Sequence, residues 1–154
     1  MDKKELKKVT TLVFERYGFV KKGKYYYLDL DDVRICSGFN TMYGITYLAF
    51  TFSIKALHTE EEWTTQNMFD GYDSSEVHFC FDENARGLQG SQICFEEWTE
   101  MYYSSKLEEL LHCYFDPFGE NALEHIKNCY QIIGLVNKDD IVMLTKKARD
   151  FLNV

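Results

Sequence analysis

The stretch Ile45–Leu57, ITYLAFTFSIKAL, decides the fold. Leu48, Phe50, Phe52 and Ile54 alternate with Tyr47, Ala49, Thr51, Ser53 and Lys55. A period of two sends successive side chains to opposite faces of a strand, so this segment reads as extended, with the first set turned to the core. Upstream, Val33–Phe39 and Tyr25–Leu30 read as two further strands. They are separated by the Asp31-Asp32 turn and by the breaker-rich Asn40–Gly44. Connections this short make an antiparallel meander. Downstream, Glu76–Asp82 alternates again, with Val77, Phe79 and Phe81 inward, and Gln92–Phe95 reads as a short fifth strand.

Helices bracket the sheet. Leu6, Val9, Val13 and Tyr17 recur at helical spacing over residues 3–17, and Gly18 suits the stop. Thr59, with Glu62 three residues on, has the pattern of a capping box for a helix reaching Phe69. Leu107, Leu110, Leu111 and Tyr114 mark a helix within Glu96–Phe115. Asp116-Pro117 starts another, lined by Leu123, Ile126 and Tyr130 and closed by Gly134. Asn137 is placed to cap a last helix, with Asp140 at its third position and Val136 and Ile141 as a staple. Ile141, Leu144, Ala148 and Phe151 form its apolar stripe. The expected architecture is α+β: a curved antiparallel sheet of four to five strands, with the N-terminal helix and the C-terminal helices packed on one face. The 154 residues suit a single domain spanning 1–154.

Charge is unevenly distributed. Residues 1–24 carry eight Lys/Arg against three Asp/Glu, whereas residues 58–124 carry two against sixteen. A net charge of −8 repels phosphate backbones, so no nucleic-acid partner is expected and a basic protein partner is favoured. The five cysteines are irregularly spaced without CxxC, and no leader pattern opens the chain. The expectation is reduced, buried thiols in a cytoplasmic protein. The apolar runs are too short to cross a bilayer.

The segment GFVKKGKYYYLDLDDVRICSGFN, residues 18–40, follows an amphipathic helix and precedes a long alternating strand. In Gly18, Phe19, Lys21, Lys22, Gly23 and Tyr26 it resembles an uncharacterised bacterial family, domain of unknown function 4304. The resemblance spans about the first third of the chain. It implies an α+β fold and no known activity.

Two candidate sites emerge. The first is the second face of the sheet, where Tyr25, Tyr27, Arg34, Tyr47, Thr51, Ser53, Lys55 and His78 would combine aromatic walls with polar groups, as in a ligand groove. The second is acidic: Glu60, Glu61 and Glu62, with Glu96, Glu97 and Glu100, would receive a basic partner. His78 with Cys80, His125 with Cys129, and His112-Cys113 lack the paired spacing of a zinc site, so no metal and no cofactor are expected. Neither GxSxG nor a phosphate-binding glycine loop occurs, so no catalytic residue is assigned. The helical hairpin around Gly134, with Lys146, Lys147 and Arg149, outlines a DNA reader, but the acidic middle of the chain opposes that use. The expectation is an uncharacterised, non-catalytic binding protein for a basic, immunity-like partnership. The alternative is a small-molecule binder or enzyme working on the sheet face. Oligomeric state is left open.

Overall fold

The computed structural model describes residues 1–65, 72–131 and 143–154, with residues 129–131 described by backbone alone. Helix α1, Lys3–Tyr17, starts at a capping box in which the Asp2 side chain accepts from the Glu5 N–H and the Glu5 side chain accepts from the Asp2 N–H. It stops at Gly18, whose φ of 125° suits a residue without a Cβ.

Among the described residues five strands follow: β1 Val20–Lys22, β2 Tyr25–Asp29, β3 Val33–Met42, β4 Ile45–Ile54 and β5 Val77–His78. They form one antiparallel sheet in the order β1-β2-β3-β4-β5, a meander. The count of five matches expectation, but the membership differs. Phe19 to Lys22, read as an entry and a basic turn, supplies edge strand β1, because Gly23-Lys24 alone suffices for the hairpin. Gln92–Phe95 is no strand; it touches β4 through one bond, Ile93 N–H to the Thr46 carbonyl. The predicted fourth strand contracts to Val77–His78, although Phe79 still donates to the Leu48 carbonyl.

The β3–β4 turn is tighter than expected. Met42 pairs with Ile45, leaving Tyr43 and Gly44 as a two-residue loop with φ of 52° and 76°. Two positive φ values define the type I′ turn, whose hand matches the twist of the strands. Asparagine is preferred where Tyr43 sits, and the ring is 92% exposed, so no packing offsets its backbone strain. Tyr43→Asn is therefore expected to stabilise the fold by about 0.5–1 kcal/mol, raising the thermal midpoint by about 3 °C. A lowered midpoint in calorimetry would contradict this.

Beyond β4, the Lys55–Leu57 segment turns as a short 3-10 helix instead of prolonging the strand. Helix α2, Glu60–Thr65, carries the predicted capping box: Glu62 N–H donates to Thr59 Oγ1 at 3.1 Å and Thr59 N–H to Glu62 Oε2 at 3.0 Å. Residues 66–69 of its expected extent lie outside the described residues. Helix α3, Leu88–Ser91, precedes α4, Glu100–Phe115, which starts at the Thr99 cap. Asp116–Phe118 continues α4 as a 3-10 turn. The next helix, α5 (Ala122–Gln131), starts later than Asp116-Pro117 suggested, with the Asn121 side chain accepting from the Glu124 N–H. The last helix, α6, Lys146–Leu152, is capped by Thr145. Its buried residues are Ala148 and Leu152, while Phe151 faces water, a correction to the predicted stripe. Gly134, Asn137, Asp140 and the Val136/Ile141 staple lie outside the described residues, as does the side chain of Tyr130.

The core lies between the sheet and the helices. Leu48, Phe50, Phe52 and Ile54 are at most 3% exposed and share one cluster with residues of α1 and α4, where Phe50 packs on Tyr114 and Phe115. Phe115 of α4 is a hub, with ring centroids 4.9 Å from Phe50, 5.4 Å from Phe19 and 5.8 Å from Phe79. Polar links punctuate this layer: the hydroxyls of Thr10 and Tyr103 lie 2.7 Å apart and join α1 to α4, Thr10 donates to the Leu6 carbonyl, and the hydroxyls of Thr11 and Tyr26, 2.7 Å apart, join α1 to β2. Among the described residues no helix is long and apolar enough to cross a membrane. Cys36, Cys80, Cys94 and Cys113 form no disulfide, but Cys94 is half-buried and Cys113 exposed, so the thiols are not uniformly buried as expected.

Candidate functional site

Strand register settles which residues share the second sheet face. Tyr27 pairs with Cys36 and Cys36 with Thr51; Tyr25 pairs with Gly38, Gly38 with Ala49, and Ala49 with His78. Arg34 stands opposite Ser53, and Tyr47 lies on the same face two residues before Ala49. Seven of the eight proposed residues are thus brought together. Lys55 is not: it sits in the 3-10 turn beyond the strand, exposed, with its N–H on the Asp32 carbonyl.

That face is closed, contrary to the expected groove. Tyr25, Tyr27, Arg34, Tyr47, Thr51 and Ser53 are all at most 8% exposed. Tyr25, Tyr27, Cys36, Tyr47 and Ala49 form a second small core, with Leu88 of α3 against it. Lys22 and Lys24 reach over the Tyr27 and Tyr25 rings. Arg34 is committed inside the fold. Its guanidinium grips both Asp29 oxygens, donates to the Trp63 carbonyl, and lies 4.3 Å from the Trp63 ring on one side and 5.7 Å from Tyr27 on the other. It therefore fastens α2 to the sheet. Burial pushes the Cys36 thiol up to about 12, which leaves it neutral and a poor nucleophile. His78 is partly exposed, 3.7 Å from Glu76 and with its ring against Tyr47. The Tyr47 hydroxyl and Thr51 Oγ1 are buried and find no hydrogen-bond partner among the described residues. They stand four residues apart on one strand, roughly 13 Å, and do not converge on one ligand atom.

The six acidic candidates are exposed, and the fold divides them. Glu60, Glu61 and Glu62 follow the last residue of β4, whereas Glu96 and Glu97 share a cleft with Thr41, Gly44 and Thr46 at its start. Ten strand residues separate the two groups, roughly 30 Å. Only Glu100 lies within the first turn of α4; Glu96 and Glu97 precede the helix. Glu62 is spoken for: the Thr59 N–H, and secondarily His58, hold its carboxyl below the usual range. Among the described residues, Glu60, Glu61, Glu96, Glu97 and Glu100 make no ion pair.

Two features escaped the sequence reading. The His58 side chain, 8% exposed, lies between Asp73 (2.8 Å) and Glu62 (3.4 Å), and Asp73 also accepts the Ile54 N–H. Asp73 bonds through its backbone to Phe52 and Thr145, so this cluster ties the β4 edge to the C-terminal residues. Fifteen residues separate His58 from Asp73, and no local motif links them.

The other feature is a cleft of about 480 Å³ between the end of α1, α4 and the β2–β3 turn. Val13, Leu28, Leu30, Leu111 and Phe115 line it, with Arg16, Tyr17, Glu108, His112 and Asp116 around them. The Tyr17 hydroxyl donates to Asp116 Oδ1 at 2.7 Å, and His112 Nδ1 lies 3.0 Å from Oδ2. The Tyr17 bond, and then His112, hold the Asp116 carboxyl below its usual range; burial and Asp116 raise the Tyr17 phenol. Leu30 and Gly119 also line an adjoining cleft that adds Asp31, Asp32 and Glu120. The signal available in the sequence was the Asp31-Asp32 pair, which reads first as turn chemistry. Among the described residues, no three His, Cys, Asp or Glu side chains are grouped to hold a metal ion.

In comparisons with known proteins, no family model, no curated protein and no solved structure matches this chain.

Proposed function

We propose that this chain is a non-catalytic binding protein whose acidic surface receives a basic protein partner, as an immunity-type inhibitor would receive a cationic target. One observation carries the reading: the exposed carboxylates at Glu60, Glu61, Glu96, Glu97 and Glu100 find no cation within the described fold. Charges left unneutralised inside the molecule project a field that steers an oppositely charged protein and speeds its encounter. A small molecule or a reaction on the sheet face has less support, because Arg34 is consumed by Asp29 and Trp63 and the Cys36 thiol is held neutral.

The test is affinity capture at low salt, followed by association kinetics on the purified captured protein. Glu60→Lys with Glu61→Lys is the variant of choice, since Glu62 must stay to cap α2. The expected outcome is a basic captured protein whose on-rate falls about tenfold in the double variant, with a flatter dependence on salt. A neutral or acidic partner, or an on-rate indifferent to the reversal, overturns the proposal.

A further inference from the structure

The cleft at the end of α1 combines an apolar lining with an acidic rim. Half-buried Leu28 and Leu30 supply its accessible apolar surface, backed by the core residues Val13, Leu111 and Phe115, which are at most 2% exposed. Around it and the adjoining cleft stand Glu108, Asp31, Asp32 and Glu120, all exposed, with Arg16 on the same lining, while Asp116 is engaged by Tyr17 and His112. Asp29 is set aside, since Arg34 already neutralises it. Among the described residues, Asp31, Asp32, Glu108 and Glu120 make no ion pair. The fold concentrates more charge nearby: the Asp32 carbonyl accepts from Lys55, so the Asp31-Asp32 turn sits at the same end of the sheet as the segment leading to Glu60.

An apolar trough with an acidic rim is complementary to a segment that presents apolar side chains on one side and lysine or arginine on the other. Lysine and arginine suit it doubly, because their aliphatic stems can cover Leu28 and Leu30 while their charged ends reach the rim. A helix with apolar residues three and four apart is the compact form of such a segment. We propose that this cleft is the seat of a basic, amphipathic helical segment of the partner protein. The inference rests on the basic-partner reading and adds to it both a place and a shape.

The experiment uses two synthetic peptides of identical composition, leucine and lysine. One has the leucines at helical spacing; the other has the order shuffled. Wild type is expected to bind the amphipathic peptide at least tenfold more tightly than the shuffled one at physiological salt. Leu30→Asp adds a negative charge and removes part of the floor, and it is expected to abolish that preference. Glu83→Lys, at an exposed loop residue outside both clefts, is expected to leave the preference intact. Amide shift mapping on the unaltered protein should place the amphipathic peptide at Leu28, Leu30, His112 and Gly119, independently of how any variant folds. If wild type shows no preference, or if Leu30→Asp keeps it or the shifts fall elsewhere, the cleft is not the seat and the basic-partner reading stands. If neither peptide binds even at low salt, both readings fall.

Discussion

Replacing Phe115 by alanine is expected to destabilise the protein by about 4 kcal/mol, the largest loss from any single truncation proposed for it. The ring is 2% exposed and sits where α4 meets the sheet, in contact with Phe19 of the chain leaving α1, Phe50 of β4 and Phe79 beyond β5, and with Phe118 beyond its own helix. Removing it deletes a large apolar transfer term and opens a hole. The surrounding rings cannot close that hole without leaving their own tilted and edge-on arrangements. Against a total stability of roughly 5–15 kcal/mol for a domain, such a loss populates the unfolded state visibly. Urea denaturation measures it; a loss under about 2 kcal/mol would mean that the layer repacks. Because Phe115 also lines the apolar cleft, the variant should lose peptide binding by loss of fold, which makes it unsuitable as a binding probe.

Arg34→Ala is the second large expected effect, about 3 kcal/mol. The guanidinium is buried, yet every direction it faces is satisfied: Asp29 through a two-pronged contact, the Trp63 carbonyl, and two aromatic rings. Truncation strands the Trp63 carbonyl and removes the stacking of a cation on indole. The orphaned Asp29 is about half exposed and can rehydrate, which keeps the cost at the low end for a broken buried pair. The distinctive consequence is local. Arg34 is what fastens α2 to the outer sheet face, so the amides of Glu60–Thr65 should exchange faster in the variant than in wild type. Arg34→Lys should recover only part of the loss, since an ammonium has no planar fork. Unchanged exchange in α2 alongside a small global loss would show that the helix is held by other contacts.

These two residues illustrate how differently core and site could be read. Phe50 and Phe52 declare themselves by alternation, and any strand so patterned must hide one face, so their burial follows from period alone. Arg34 was placed on the correct face by the same alternation, yet its use was misread. Nothing in the order of residues says whether a second face stays open, and an arginine on an open face serves a ligand whereas on a closed one it serves the fold. Lys55 fell off the face because a strand's end depends on where the chain must turn to reach α2, which is a tertiary matter. The acidic residues are exposed, and the length of β4 separates them into two groups that no local pattern distinguishes.

By itself, then, the chain's order of residues determined what is local: α1 with its glycine stop, the antiparallel hairpins, the inward set of β4 and the Thr59–Glu62 cap. Each depends on interactions within a few residues, where periodicity and capping act directly. Only the tertiary structure decided that Val20–Lys22 takes the edge of the sheet, that Arg34 and Trp63 meet across the outer face, and that Tyr17 reaches Asp116 from 99 residues away. Those outcomes turn on which distant surfaces bury each other, and a contact between remote segments leaves no period in either of them.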